Sequence, residues 1–319
     1  MLRFAQHDMS LGCLSISTSL SISTSLKTCN LQSAIYNLQS AICNLKKPMR
    51  PLALSLLLCL VACGLTPPAP PPSREPLPTL MPTLTGMPVT SPDSGWLPAG
   101  PAAELRRLRV SVGGQMAPVS VVRLDPARVR FSVGYQPATP PSLHEWATNA
   151  GALAVINGGF FDEAGQTVAL LVHAGTSSGT SYAGRGGMFA VTAEGTVTLR
   201  ALADTPYDPN EPLAEALQGW PMLVRPGGIA AYSAEDGARD RRSALAIDQA
   251  GRVLLIAAPT AAFTLAELST WLATSDLALT AAVNLDGGAS TGLVLLSATN
   301  PERLDAFASL PIVLMALPR

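Results

Sequence analysis

Two stretches of the sequence share one form, in which an apolar run is followed by a polar residue and two glycines. ALAVINGGFFD reaches Asn157 where the apolar run ends, and AAVNLDGGAST reaches Asp286. Paired glycines let the backbone approach a ligand closely or take positive φ, and consecutive N–H groups in such turns can bind an anion. Either loop alone is better explained as a tight turn, but two of them together favour a shared binding site.

The segment GASTG raises the alternative of a serine nucleophile at Ser290. In an α/β-hydrolase the acid and then the histidine follow the serine along the chain. No histidine follows Ser290, and His173 could serve only in a reversed order. A serine hydrolase is therefore the weaker interpretation.

The composition excludes several kinds of enzyme chemistry. Lysine occurs only at Lys27, Lys46 and Lys47, and no cysteine follows residue 63. The rest of the chain therefore has no lysine for phosphate binding or a Schiff base, no cysteine nucleophile and no thiolate metal site. Its two histidines, His144 and His173, cannot build a three-histidine zinc site. The net charge of -1 gives no basis for nucleic-acid binding, so arginine must supply any cationic contact.

The first third of the chain predicts export and anchoring rather than a folded core. Residues 1–48 contain tandem repeats, which we interpret as a misassigned start or a disordered repeat. Residues 49–62 fit a lipoprotein-type signal peptide, because LALSLLLCLVAC is uncharged and too short for a mature bilayer span. LVACG resembles a bacterial lipobox, which implies lipidation of Cys63, although an ordinary signal peptide with a chance cysteine is the alternative. Residues 63–103 are a proline-rich tether, so we expect an extracytoplasmic protein that is lipid-anchored to a bacterial membrane.

Residues 104–319 predict one strand-rich α+β domain, with a mixed sheet, a few helices and the active site at strand-end loops. Short runs of Val, Ile and Leu, such as VSVVRL and IVLMAL, are bounded by Gly, Pro, Asp and Asn. Two capping boxes, Ser142 with Glu145 and Thr264 with Glu267, predict helices. Glu267 is better explained as such a cap than as a catalytic acid.

Five motifs occur in order along this domain: INGGFFD, GRGGMFAV, GWPMLV, RRSALAID and NLDGGASTG. Together they resemble the phosphodiester glycosidase family over roughly residues 110–318. The resemblance implies hydrolysis of a sugar-1-phosphodiester at the anomeric C–O bond, which releases the sugar and leaves a phosphomonoester. TVALLVHAG is looser than the usual stretch after the first motif, and RSALAID lacks a glycine often found there.

The resemblance implies a catalytic role for Asp286, Asp162 and Arg242. Glycosidases commonly place carboxylates at the anomeric carbon, and a phosphate leaving group needs charge stabilisation more than protonation. Arg242 matches the family's arginine, whereas Arg241 is interpreted as a solvated neighbour. Asn157 could instead hold its own turn, and His173 could have a surface or packing role. The expected substrate contacts are Asn157, Gly158, Gly159, His173, Gly287, Gly288, Ser290 and Thr291.

Two other classes of function remain open at this point. A non-catalytic module that binds anionic envelope glycans would use the same loops, and only turnover separates it from an enzyme. A calcium-stabilised structural domain is a third interpretation, although no EF-hand spacing is present. We expect a sugar phosphodiester or envelope glycan as the partner and no required cofactor, with a divalent cation such as calcium possible. The sequence does not determine the oligomeric state.

Overall fold

The computed structural model of the protein describes residues 92–319. The predictions for the repeats, the signal peptide, Cys63 and most of the tether lie outside these residues. Between residues 92 and 319, no helix is both long and apolar enough to span a bilayer.

Residues 92–319 form eighteen strands, two α-helices and one short 3-10 helix. The strands are β1 (Leu97–Pro98), β2 (Ala103–Val112), β3 (Gln115–Leu124), β4 (Val129–Tyr135), β5 (Ala154–Asn157), β6 (Leu171–His173), β7 (Thr176–Ser178), β8 (Gly187–Thr192), β9 (Val197–Ala201), β10 (Leu213–Gly219), β11 (Met222–Arg225), β12 (Ile229–Ala230), β13 (Asp240–Asp248), β14 (Val253–Phe263), β15 (Leu279–Asn284), β16 (Leu293–Leu295), β17 (Glu302–Leu304) and β18 (Ile312–Pro318). The helices are α1 (Leu143–Ala150) and α2 (Leu265–Thr274), and the 3-10 helix is Gly288–Ser290.

The strands form three sheets, which confirms a strand-rich α+β domain with few helices. The largest sheet has the order β1-β2-β3-β14-β13-β15-β11-β12, and the other two are β7-β6-β10-β8-β9 and β17-β16-β5-β18-β4. The expected mixed sheet is corrected in one respect, since all pairs of these strands are antiparallel. Runs of β-branched and aliphatic residues do not reveal strand direction, because both faces of a central antiparallel strand can also be buried.

The central strands of the large sheet are buried on both faces. In β14, Val253 and Leu255 belong to the core that the three sheets share, whereas Leu254 and Ile256 belong to a second core under α2. This alternation follows from the two-residue period of a strand. The double burial explains why β14 reads as a continuous apolar run.

Both predicted capping boxes are confirmed. The Ser142 hydroxyl accepts from the N–H of Glu145, and the Glu145 carboxylate accepts from the N–H of Ser142. Thr264 and Glu267 make the same reciprocal pair at the start of α2. Glu267 also forms an ion pair with Arg239, so its carboxylate is used in the scaffold.

The folded region includes residues that the sequence assigned to the tether. Strand β1 pairs with β2, and Ala99 and Ala103 are buried in the shared core. Asp93 forms an ion pair with Arg106. Proline and glycine in LPAGP suggested a linker. The segment nevertheless joins the sheet, because β1 pairs with β2 and Ala99 is buried beside it.

Candidate active site

The two motif loops are joined to each other. Strand β5 ends at Asn157 in a five-stranded sheet, and β15 ends just before Asp286 in the eight-stranded sheet. The N–H of Asp286 donates to the Gly158 carbonyl at 3.1 Å. From the sequence we expected these loops to be two halves of one site, and in the structure they are in contact.

Asn157 is the residue that holds this junction. Its side chain is fully buried, and its Nδ2 donates to the Asp286 carbonyl at 2.7 Å. Its Oδ1 accepts from the Ser243 hydroxyl at 2.6 Å and from the N–H of Gly292 at 3.2 Å. We expected Asn157 to contact substrate, but these bonds leave it as a positioning residue.

Asp286 is a half-buried carboxylate held in one orientation. Its Oδ1 accepts from the N–H of Gly287 at 2.9 Å, and the Ser290 hydroxyl also bonds to it. Burial raises the pKa of Asp286, and the nearby carboxylate of Asp240 raises it further, while the bonds from Ser290 and Gly287 act in the opposite direction. The effect of burial on the pKa is the largest, so Asp286 binds a proton more readily than an ordinary aspartate.

Arg242 lies close to the same loop. A Cβ placed on Gly287 would be 3.9 Å from its Nη1. The guanidinium donates to the carbonyls of Phe263 and Ala238, and no carboxylate of residues 92–319 forms an ion pair with it. Burial lowers the pKa of Arg242, against the pull of Asp240 and other nearby acids. A partly desolvated arginine that lacks a carboxylate partner is suited to binding an anionic ligand.

Asp240 was not among the site residues predicted from the motifs. Its Oδ2 would be 3.1 Å from a Cβ on Gly288, and its charge acts on both Asp286 and Arg242. The sequence RDRRSALAID indicates that Asp240 lies beside Arg242. Residues two apart on a strand share a face, and Asp240 precedes Arg242 by two. A carboxylate beside Gly288 disfavours a phosphate directly on these glycines, which leaves Arg242 as the better phosphate contact.

The motif glycines act mainly through close packing rather than as an anion-binding nest. Only Gly288 among the four has positive φ, at 58°. A Cβ on Gly159 would be 2.7 Å from the Gln218 carbonyl oxygen, and one on Gly158 would collide with Ile312. The N–H of Gly287 is already bonded to Asp286. Glycine is therefore required at Gly158 and Gly159 by neighbouring backbone and side chains.

Three aromatic residues lie near the loop of Asp286 or near Arg242. Tyr182 is near enough that the charge of Asp286, after burial, raises the pKa of its phenol. Trp220 and Tyr232 pack edge to face with ring centroids 5.7 Å apart, and Tyr232 interacts electrostatically with Arg242. Asn284, two residues before Asp286, donates to the Trp220 carbonyl at 2.9 Å. No single motif contains these residues, so only the fold shows that they are neighbours.

Two expected site residues make their bonds elsewhere. Asp162 is exposed, and its Oδ1 accepts from the N–H groups of Ala164 and Gln166, both at 2.9 Å. It therefore stabilises its own turn in DEAGQ, and its role as a second catalytic carboxylate stays a prediction. His173 is half exposed, and its Nδ1 lies 3.6 Å from the carboxylate of Glu215, on the neighbouring strand of a sheet that contains neither β5 nor β15. The packing alternative explains His173 better than a ligand contact.

Ser290, Thr291 and Arg241 are all buried. Ser290 uses its hydroxyl on Asp286, and the Thr291 carbonyl accepts from Arg241 at 2.9 Å. Arg241, expected to be solvated, is only 8% exposed, with its guanidinium 3.8 Å from the centre of the Phe307 ring. Neighbouring positions on a strand point to opposite faces, so Arg241 packs beneath the loop while Arg242 lies beside it.

Two surface depressions, of about 610 and 620 Å³, are lined by neither Asp286 nor Arg242. Residues 92–319 contain no group of three His, Cys, Asp or Glu side chains placed to hold a metal ion. The possibility of a bound divalent cation stays a prediction.

The sequence model described as phosphodiester glycosidase matches residues 150–313, just over half of the 319 residues. The chain belongs to the phosphodiester glycosidase family. This membership suggests a hydrolase, and the matched segment contains Asn157, Asp240, Arg242 and Asp286.

One solved structure supports the fold, and two others match more weakly. The zebrafish N-acetylglucosamine-1-phosphodiester alpha-N-acetylglucosaminidase catalytic domain, auto-inhibited by its pro-peptide, matches with a TM-score of 0.54 and 19% identity, over 68% of this chain and 83% of that one. A hypothetical protein from Synechocystis matches with a TM-score of 0.48 and 15% identity, over 68% of this chain and 62% of that one. An exported protein from Burkholderia pseudomallei matches with a TM-score of 0.44 and 15% identity, over 64% and 74% of the two chains. No curated protein matches this chain by sequence.

Proposed function

We propose that this phosphodiester glycosidase hydrolyses a sugar-1-phosphodiester at the bond between the anomeric carbon and the bridging oxygen. The observation that supports it is a half-buried carboxylate, Asp286, held beside an arginine that has no carboxylate partner, Arg242. A carboxylate with a raised pKa is a better base near neutral pH than an ordinary aspartate. The arginine supplies positive charge where the phosphate leaves.

In the proposed reaction, the bond from the anomeric carbon to the bridging oxygen breaks, and its electron pair stays on that oxygen. The oxygen becomes part of a phosphomonoester, whose added negative charge Arg242 stabilises. The oxygen of water forms the new bond to carbon. Asp286 either takes the water's proton directly or first bonds to the carbon and is then released by water. In both routes the products are the free sugar and the phosphomonoester.

Asp240 is proposed to tune this chemistry rather than to replace Asp162 as an acid. Its charge raises the proton affinity of Asp286, as like charges close together do. It also interacts favourably with Arg242 without an ion pair that would neutralise the guanidinium. Asp240 therefore acts through its charge on Asp286 and Arg242 and is not itself an acid or base in the reaction.

The serine-hydrolase alternative has less support. The Ser290 hydroxyl bonds to Asp286, and neither histidine of residues 92–319 contacts it. A serine needs an adjacent base that receives its proton. A buried serine that bonds to a functional carboxylate is better explained as an orienting group.

Outside the described residues, we propose that the mature chain is anchored by lipid on Cys63 and acts outside the cytoplasm on an envelope glycan. The lipobox-like LVACG and the preceding apolar run support this placement. Replacement of Cys63 with serine should move the protein from the membrane fraction to the soluble fraction. Mass spectrometry that finds an unlipidated chain beginning at Met1 would contradict it.

The test of the proposed activity is a screen of the purified protein against sugar-1-phosphodiesters in oxygen-18 water. Cleavage of the C–O bond releases reducing sugar and phosphomonoester in equal amounts, with no oxygen-18 in the phosphomonoester. Asp286→Asn should lose at least about 10²-fold in turnover, and the exposed Asp204→Asn is the matched control. Oxygen-18 in the phosphomonoester would show P–O cleavage, and binding without turnover would favour the non-catalytic module.

A further inference from the structure

A cavity of about 180 Å³ lies beside the candidate active site. Arg185, Arg225, Trp220 and Tyr232 contribute its charged and aromatic side chains. Residues of the GRGGMFAV and GWPMLV motifs line it. Neither the two motif loops nor Asp286 lines it directly, so it is a separate space from the one assigned to the anomeric carbon.

The cavity is connected to Asp286 through short backbone contacts. Trp220 and Pro221 accept hydrogen bonds at 2.9 Å from the side chain and the N–H of Asn284, two residues before Asp286. On the opposite side, Arg185 lies 5.3 Å from the ring centre of Tyr182, which is itself influenced by the charge of Asp286. The cavity therefore lies next to the segment that carries Asp286.

The arginines of this cavity have no carboxylate partners. Several other exposed arginines of residues 92–319 are in ion pairs, such as Arg107 with Glu302 and Arg303 with Asp305. No carboxylate of residues 92–319 forms an ion pair with Arg185 or Arg225. Arg185 and Arg225 therefore line one small space without ion pairs, and Arg242 acts electrostatically on Tyr232 at its edge. This concentration of positive charge excludes a cationic ligand and favours an anionic one.

We propose that this cavity is a subsite for a second anionic group on the alcohol-derived half of the substrate. The scissile phosphate lies at Arg242, and a further phosphate or carboxylate lies between Arg185 and Arg225. Arginine suits this role, because its planar fork binds phosphate and carboxylate oxygens in pairs. The inference rests on the proposed function, and it defines the substrate class as sugar phosphodiesters with a polyanionic aglycone.

Kinetics with two matched substrates test the subsite. One is a glycosyl-1-phosphoglycerol, and the other carries an additional phosphate on the glycerol. For Arg185→Gln with Arg225→Gln, KM for the doubly anionic substrate should rise about tenfold, while KM for the singly anionic one changes less than about twofold. Arg109→Gln, an exposed arginine without an ion pair on β2, should change neither value. Equal effects on both substrates would overturn the subsite.

A binding measurement separates failure of the subsite from failure of the proposed activity. Glycerol bisphosphate, titrated into the protein by calorimetry, should bind about tenfold more weakly to the double variant and unchanged to Arg109→Gln. If it binds in this way but no sugar phosphodiester is cleaved, the anionic subsite stands and the glycosidase activity fails. If cleavage occurs but the double variant binds the probe like the unmodified protein, the subsite fails alone.

Discussion

The side-chain amide of Asn157 donates a 2.7 Å hydrogen bond to the backbone carbonyl of Asp286. This bond joins the ends of two strands that belong to different sheets. Because Asn157 also accepts from Ser243, one buried side chain sets the relative position of three of the family motifs. The placement of the Asp286 carboxylate therefore depends on a residue that does not reach the ligand.

Asn157→Ala should lower the free energy of unfolding by about 2–4 kcal/mol, because it leaves buried partners without their bonds. Denaturant unfolding followed by circular dichroism measures this change. The matched control is Asn210→Ala, an exposed loop residue, with an expected change within about 0.5 kcal/mol. A cost at Asn157 no larger than at Asn210 would show that the junction does not depend on this side chain.

The parts of the fold that depend on local pattern were predictable. Ser142 with Glu145 and Thr264 with Glu267 determine helix starts through contacts three residues apart, so the sequence alone reveals them. Strand positions follow from apolar runs in the same way. Strand direction and the division into three sheets depend on pairings between distant segments, such as β3 with β14, that no local pattern encodes.

The site was only partly predictable, for a related reason. Asp286 and Arg242 were found because they lie in recognisable motifs. Asp162 was assigned from its motif, whereas the local Asp-x-x-Gly pattern in DEAG indicates the turn that its carboxylate stabilises. Tyr182 and Trp220 were missed because their proximity to Asp286 and Asn284 arises only from tertiary packing.

Asp286→Asn keeps the shape of the side chain and removes its charge. Turnover of sugar phosphodiesters should fall by about 10²–10⁴-fold, the usual contribution of a positioned acid or base. The free energy of unfolding, by contrast, should rise in this variant at neutral pH. The folded-state pKa of Asp286 is raised, so its ionisation costs stability as pH rises from the unfolded value through the folded one.

The stability of the Asn variant should therefore exceed that of the original protein at neutral pH, and the difference should vanish below about pH 4. Thermal unfolding across this pH range measures it. An Asn variant that is less stable at neutral pH would show that the hydrogen bonds to the carboxylate outweigh the cost of burying its charge.

Asp240→Asn should shift the pH dependence of kcat/KM. If the carboxylate form of Asp286 is required, activity is lost as pH falls through its raised pKa. Removal of the Asp240 charge lowers that pKa, so the acid limb should move to lower pH while burial still holds it above the ordinary value. Asp204→Asn, which changes an exposed carboxylate outside the two motif loops, should leave the profile in place. If the acid limb does not move, the charge of Asp240 does not influence the pKa of Asp286.

Arg242→Gln should lower kcat/KM by about 10²-fold, since it removes the charge that stabilises the departing phosphate. The glutamine can still donate to nearby carbonyls, so the fold should remain intact. Steady-state kinetics with a sugar-1-phosphodiester provide the measurement, with Arg109→Gln as the control for lost surface charge. Retention of full activity by Arg242→Gln would place the phosphate elsewhere.

Ser290→Ala separates an orienting serine from a nucleophile. An orienting hydroxyl that donates to the Asp286 carboxylate contributes about 1.5–3 kcal/mol, so its loss should reduce kcat/KM by roughly 10–150-fold and leave measurable turnover. Because the Ser290 bond lowers the pKa of Asp286, the acid limb of the pH profile should also move upward. A nucleophile would behave differently, since its removal abolishes turnover and prevents any covalent intermediate on the serine. Mass spectrometry of rapidly quenched reactions checks for that adduct. An inactive Ser290→Ala beside an active Asp286→Asn would reverse the assignment of the two residues.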